Sequence, residues 1–161
     1  MKLHLVRHGT AATRREGRDH PDRPLVPKGR LQLETLGAWY RSRGFRPDRV
    51  ATSPFRRARE SAEVFLAAAG LEPSVPLEVV DALVPAGEVE KALAALLAPS
   101  AETLLVFGHQ PLLGALAASL LGADGLPLDL SKGGFIELDV EDLPARRAAR
   151  LRGLIRPGHL R

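Results

Sequence analysis

Lys2-Leu3-His4-Leu5-Val6-Arg7-His8-Gly9 opens the chain as an alternating apolar run that turns polar at Arg7-His8-Gly9. The period of two predicts a short buried strand, and the glycine predicts the turn that ends it. Two further stretches behave in the same way. Arg49-Val50-Ala51-Thr52-Ser53 runs into Pro54-Phe55-Arg56-Arg57-Ala58, and Thr103-Leu104-Leu105-Val106-Phe107 breaks into Gly108-His109-Gln110-Pro111. Helical patterns separate them. Leu31, Leu33, Leu36 and Trp39-Tyr40 give an apolar face to a helix over residues 27–43, which Gly44 stops. Ala58, Ala62, Phe65 and Leu66 stripe a second helix that starts at Pro54 and closes at Gly70. A third helix is expected over residues 87–97, and a fourth, apolar one runs from Pro111 to about Leu121.

Residues 76–80 read as a short strand that Pro76 confines to a sheet edge. Residues 133–140 alternate with period two. Residues 148–155 pair with them as an antiparallel hairpin, with helix as the alternative over residues 143–152. Strands that alternate with helices predict an α/β fold: a three-layer α/β/α sandwich around a mainly parallel central sheet. With no repeat, linker or low-complexity stretch, residues 1–161 read as a single domain.

The composition, 45% hydrophobic and 26% charged over 161 residues, is that of a globular chain. The sequence holds no cysteine, which excludes a disulfide framework, a zinc–thiolate site and a cysteine nucleophile. Its apolar stretches are too short to span a membrane, and Met1 leads into a strand rather than a secretory signal; the expected location is the cytoplasm. Charge is polarised. Residues 1–60 carry 15 basic and 6 acidic side chains, residues 61–142 carry 2 and 13, and residues 143–161 carry 6 and none. The basic excess lies where two of the three polar strand ends lie. This favours an anion site over a nucleic-acid groove, which would need a contiguous basic face.

Ligands of open α/β sheets bind beyond the carboxyl ends of the strands. If the three strands are parallel neighbours, two histidines and at least two arginines converge there. Guanidinium groups match pairs of phosphate oxygens, and a neutral imidazole nitrogen can attack phosphorus if the other nitrogen gives its proton to an acceptor such as a backbone carbonyl. Nearby arginines keep that ring neutral while attracting the anion. Gly9 allows close backbone approach to a ligand. Ser53 has two readings, a hydrogen bond to phosphate or a cap on the following helix. Arg14, Arg15, Arg18, Arg56 and Arg59 read as a solvated rim, His4 as a packing residue, His20 as a loop residue with a weak claim to that rim, and His159 as bland. Arginines around His8 and His109 would repel a metal ion, so neither metal nor cofactor is expected.

These three stretches, in this order, resemble the signatures of the histidine phosphatase superfamily, also called phosphoglycerate mutase-like. The match is Arg7-His8-Gly9, then Ser53, Pro54, Arg57 and Ala58, then Gly108, His109 and Pro111. The resemblance implies that His8 becomes phosphorylated, that Arg7 and Arg57 hold the phosphate, and that His109 contacts it and stabilises the transition state. Asp22-Arg23-Pro24-Leu25, Lys28-Gly29 and Leu83-Val84-Pro85-Ala86-Gly87 resemble the small SixA-like branch, the phosphohistidine phosphatases. The family's usual acid position falls on Ala82 or Leu83. Asp81 and Glu88 flank it, while Asp19 and Asp22 lie in the loop after the first strand, so Asp22, Asp81 and Glu88 are the candidate acids. Asp22 has Arg23 as an alternative partner. About twenty residues separate Asp81 from Thr103, too few for the lid of a mutase. The resemblance therefore implies a metal-independent phosphatase, monomeric or weakly dimeric, acting on phosphohistidine in a protein. The alternatives are a small-molecule phosphomonoesterase or mutase of the same fold, taking a small phosphorylated metabolite, and a non-catalytic phosphoprotein-binding module.

Overall fold

In the computed structural model the alternating run at the start of the chain is β1 (Lys2–Arg7), and the structure describes residues 1–71, 75–96, 101–141 and 149–160. After β1 come α1 (Pro27–Ser42), β2 (Arg49–Thr52), α2 (Arg56–Ala69), β3 (Leu77–Val79), α3 (Val89–Leu96), β4 (Thr103–Gly108), α4 (Leu112–Leu120), β5 (Phe135–Val140) and β6 (Ala149–Ile155). The strands form one sheet in the order β3-β2-β4-β1-β5-β6. β1, β2, β3 and β4 run parallel, and β5 and β6 close one side as an antiparallel pair.

Alternation along β1 divides the core. Leu3 and Leu5 join Ala51, Leu104, Val106 and Ile136 against Leu93 of α3 and Leu113 and Leu116 of α4. Val6 joins Val50, Leu105, Phe107 and Phe135 against Leu36 and Tyr40 of α1 and Phe65 of α2. Each fully buried aliphatic or aromatic side chain contributes about 1.5–3 kcal/mol relative to exposure. The result is the expected sandwich, with one helical pair on each face of a mostly parallel sheet. Among the described residues no helix is long and apolar enough to cross a membrane.

His4 is fully buried in the second layer, 5.4 Å from the Tyr40 ring centroid and 5.2 Å from that of Phe135. Its Nδ1 lies 2.9 Å from the Tyr40 hydroxyl, which makes it a packing residue with one satisfied polar atom. α1 stops as expected, with Arg43 at the C-cap and Gly44 at φ 69°. β3 sits at the sheet edge.

One boundary differs from expectation. α2 starts at Arg56, not at Pro54, and Phe55 occupies its N-cap with no side-chain cap. Ser53 lies too early to cap it; its hydroxyl accepts the Phe55 N–H at 3.3 Å and braces the preceding turn. The expected hairpin forms: residues 149–152 are strand and not the helical alternative, because they pair in register with β5 (Asp139 with Arg150, Leu138 with Leu151). Residues 143–148 of that helical alternative, and the end of the third helix at Leu97, fall outside the described residues.

Gly9 and Gly29 let the start of α1 press against the chain leaving β1. A Cβ on Gly9 would lie 2.6 Å from the Gly29 carbonyl oxygen, and one on Gly29 would lie 2.1 Å from the Thr10 carbonyl oxygen. Both distances are clashes with backbone, which must shift. Gly29→Ala is therefore expected to cost about 3 kcal/mol in urea unfolding. Gly158→Ala, with nothing within 4 Å of its Cβ position, is the control and should change stability little. Equal stability of the two variants would contradict this close packing.

Candidate active site

The order β2-β4-β1 brings three polar strand ends side by side. Arg7 is in register with Gly108, and Thr52 with Phe107. His8, Ser53 and His109 are therefore the next residues of adjacent parallel strands, and the first turn of α2 delivers Arg57 from above. A cavity of about 140 Å³ opens between them, lined by Arg7, His8, Arg57 and His109, with Asp19 on its wall. Of the sequence-predicted residues these four meet. Gly9 and Ser53 lie directly behind them.

His8 is 6% exposed. Its Nδ1 is 2.7 Å from the carbonyl oxygen of Gly9, so Nδ1 carries the proton and donates it. The lone pair of Nε2 then accepts the Arg57 Nε–H at 3.3 Å. The backbone around the ring is fixed by three contacts. His8 N–H donates to Gly108 O at 3.0 Å, and Gly133 N–H donates to the carbonyls of Arg7 and His8, each at 3.1 Å. Gly9 N–H donates to Ser61 Oγ at 3.1 Å, and Ser61 donates in turn to the Arg57 carbonyl at 2.6 Å. That amide is thus committed to α2. The close approach that Gly9 makes within the fold is to α1.

Burial lowers the His8 pKa to about 3; the charges of Arg57, Arg7 and Arg23 add to this, and the Gly9 hydrogen bond opposes it. His109 is lowered well below its ordinary range, first by burial and then by His8 and Arg57. Its Nε2 is 2.8 Å from Ser53 Oγ, and its ring centroid is 4.9 Å from that of His8. Ser53 thus orients His109 rather than capping α2.

Arg57 is buried and splayed across three partners. Nη2 donates to Asp19 Oδ2 at 2.8 Å, Nη1 to His20 O at 3.3 Å, and Nε to His8. Arg7 Nη1 donates to Leu130 O at 2.6 Å. Arg7 Nε and His109 Nδ1 are buried without a hydrogen-bond partner. Each such group costs about 1–3 kcal/mol, and an anion in the cavity is the species that would relieve a guanidinium N–H left in this way.

The candidate acids do not reach the cavity. Asp22 is largely exposed, 4.0 Å from His20 Nδ1. Asp81 is exposed at the start of a single turn, and Glu88 pairs with Lys91 at 2.6 Å on the surface. Asp19 is the carboxylate that lines the cavity. Arg23, offered as a partner of Asp22, instead grips Asp19 through Nε at 2.9 Å and Nη2 at 2.7 Å, because the turn at residues 21–22 folds it back. Burial raises the Asp19 pKa, but the hydrogen bond from Arg23 and the charge of Arg57 outweigh it and hold the carboxyl below its ordinary range. Residues 19–23 are loop and turn, where i,i+4 spacing does not by itself bring side chains together, so the sequence carried no signal for this pair. Arg14, read as rim, lines the cavity, as do Lys132 and Pro85, while Arg56 pairs with Glu60 outside it. Among the described residues no group of three His, Asp or Glu side chains is placed to hold a metal ion.

The buried histidines make stability acid-sensitive. His4 is lowered to about 4, mainly by burial, and His8 to about 3, against an ordinary value of 6.5. The unfolded chain therefore binds protons that the folded chain refuses. Stability is complete above pH 6.5 and declines as pH falls towards 4, each ring adding a slope of up to about 1.4 kcal/mol per pH unit. Calorimetry should find Tm flat above neutrality and falling steeply below about pH 6. A Tm independent of pH down to about 4.5 would contradict the buried neutral rings.

An α/β sandwich with a guanidinium-lined pocket at its strand ends defines a class of phosphoryl-handling proteins. The histidine phosphatase superfamily (branch 1) matches residues 3–84, and the chain belongs to this family. The Escherichia coli phosphohistidine phosphatase SixA is 31% identical over 80% of this chain and 79% of its own. An uncharacterized protein of Picosynechococcus is 39% identical over 86% of this chain and 84% of its own. The structure of the protein histidine phosphatase SixA complexed with tungstate superimposes with a TM-score of 0.87 at 25% identity, covering 100% of both chains.

Proposed function

We propose that this chain is a metal-independent hydrolase that removes the phosphoryl group from phosphohistidine in a protein. The observation that carries the reading is the tautomer of His8: Nδ1–H is tied to Gly9 O at 2.7 Å, which turns the Nε2 lone pair into a phosphate-sized cavity, where the Arg57 Nε–H that it accepts at 3.3 Å is the donor that an arriving phosphate takes over. In the first step Nε2 attacks phosphorus in line. The P–N bond of the substrate breaks, and its electron pair leaves with the substrate imidazole. Arg7 and Arg57 donate to the equatorial oxygens, where charge accumulates, and His109 supports them. In the second step water attacks phosphorus on His8. The P–Nε2 bond breaks, the lone pair returns to Nε2, and phosphate leaves with the protons of the water.

A phosphohistidine substrate suits the carboxylates available. Asp19 is held ionised by Arg23 and Arg57, so it opposes charge and orients the guanidinium rather than donating a proton. An imidazole leaving group can arrive protonated and needs no acid, whereas an alkoxide does. The likeness to SixA points the same way.

The test compares the full chain on a phosphohistidine peptide, a phosphoserine peptide and 3-phosphoglycerate, the last with and without a bisphosphate primer. Phosphohistidine should be preferred in kcat/KM by about 100-fold or more, the scale of a missing general acid. Faster turnover of an O-phosphate would support the small-molecule alternative, and binding without turnover of any probe would support the non-catalytic one.

A further inference from the structure

A second, larger concavity of about 810 Å³ adjoins the candidate active site. One wall is a single face of α1: Lys28, Leu31, Gln32 and Thr35 follow one another at helical spacing. The opposite wall is the turn over residues 156–159, and Lys132 closes the end nearest His8. Lys132 lines both this groove and the catalytic cavity, so the two are neighbours. Gly133, the next residue, is hydrogen-bonded to the carbonyls of Arg7 and His8.

The groove is cationic and amphipathic. Lys28, Lys132 and Arg156 line it together with His159, and among the described residues no Asp or Glu does. Among the described residues none of these three cations forms an ion pair, so their charge is left to solvent or to a ligand. Leu31, 62% exposed, stands among them. Unpaired cations around an exposed leucine match an acidic segment that carries an apolar residue. The catalytic cavity is several times smaller and has space for little beyond the phosphoryl group.

We infer that this groove is the docking surface for an acidic segment of the phosphorylated protein, lying beside the residue that enters the cavity. The inference rests on the proposed action on a phosphorylated protein and adds to it the chemistry of that protein's surface. A small metabolite held in the cavity would leave the groove empty.

The test uses two phosphohistidine peptides that differ only in flanking residues, one with Asp and Glu and an apolar residue, the other with Lys. Free phosphohistidine serves as the groove-independent probe. The wild-type chain should favour the acidic peptide in kcat/KM by about fivefold, the scale of two exposed ion pairs, with the difference shrinking as salt is added. Lys28→Glu/Arg156→Glu should invert the preference and Lys28→Ala/Arg156→Ala should remove it. Neither variant should change turnover of free phosphohistidine, since neither residue lines the catalytic cavity. Hydrolysis of both peptides at equal rates, or a preference that survives in the variants, overturns the groove assignment alone. Failure of the wild-type chain on all three probes overturns the phosphohistidine reading and this inference together.

Discussion

His8→Ala should lower turnover by about four orders of magnitude or more, the scale seen when a nucleophile is removed, and should leave the fold in place. The large effect follows from the step that the residue performs: without Nε2 no covalent intermediate forms, and water would have to attack the substrate directly. The small structural effect follows from its position. His8 lies at a strand end on the wall of a polar cavity, and its side chain contributes a bond to Gly9 O and an acceptor for Arg57. Loss of these two bonds costs about 2 kcal/mol. Circular dichroism and a Tm within several degrees of wild type would accompany the loss of activity. Full activity in the variant would remove His8 from the mechanism.

Arg57→Ala should cost about two to three orders of magnitude in kcat/KM, because a buried donor to the developing charge is lost. It should also destabilise the fold, and by more than His8→Ala. The guanidinium is almost fully buried and satisfies Asp19, the His20 carbonyl and His8 at once. Its removal leaves a carbonyl and part of a carboxylate unpaired, for about 2–4 kcal/mol, at the lower end for a buried pair because Asp19 is partly solvated. Arg57→Lys keeps the charge but not the planar fork, so it should recover stability better than rate. Wild-type kcat/KM in Arg57→Ala would contradict phosphate binding by this residue. An unchanged urea midpoint would contradict the network through Asp19.

The strand ends were legible because both of their signals are local. Alternation marks β1, and the residues that follow it are polar for a reason that burial cannot supply. The same holds at Ser53 and His109, and parallel neighbours then meet in space. The partner of Arg57 was not legible in the same way. Residues 10–24 have no periodicity, and Asp19 reaches the cavity only because the loop returns across the strand ends, pinned by the Ala11–Leu25 bridge and the Arg23 hydrogen bonds. Asp22, three residues on, has the same chemistry and points to solvent. Gly9 illustrates a second limit. A glycine after a strand announces close approach, but whether to a ligand or to a helix depends on where α1 packs. Ser53 illustrates a third, since its hydroxyl has a capping option in sequence and a histidine beside it only in the fold.

The central claim is that the His8 Nε2 lone pair takes the phosphoryl group. The direct measurement is a rapid-quench experiment with a peptide carrying a labelled phosphohistidine, followed by alkaline digestion and mapping of the labelled peptide. The account predicts label on His8, formed and lost on the timescale of turnover, and none in His8→Ala. Turnover with no labelled protein at any quench time, or label on His109 or an aspartate, would contradict it.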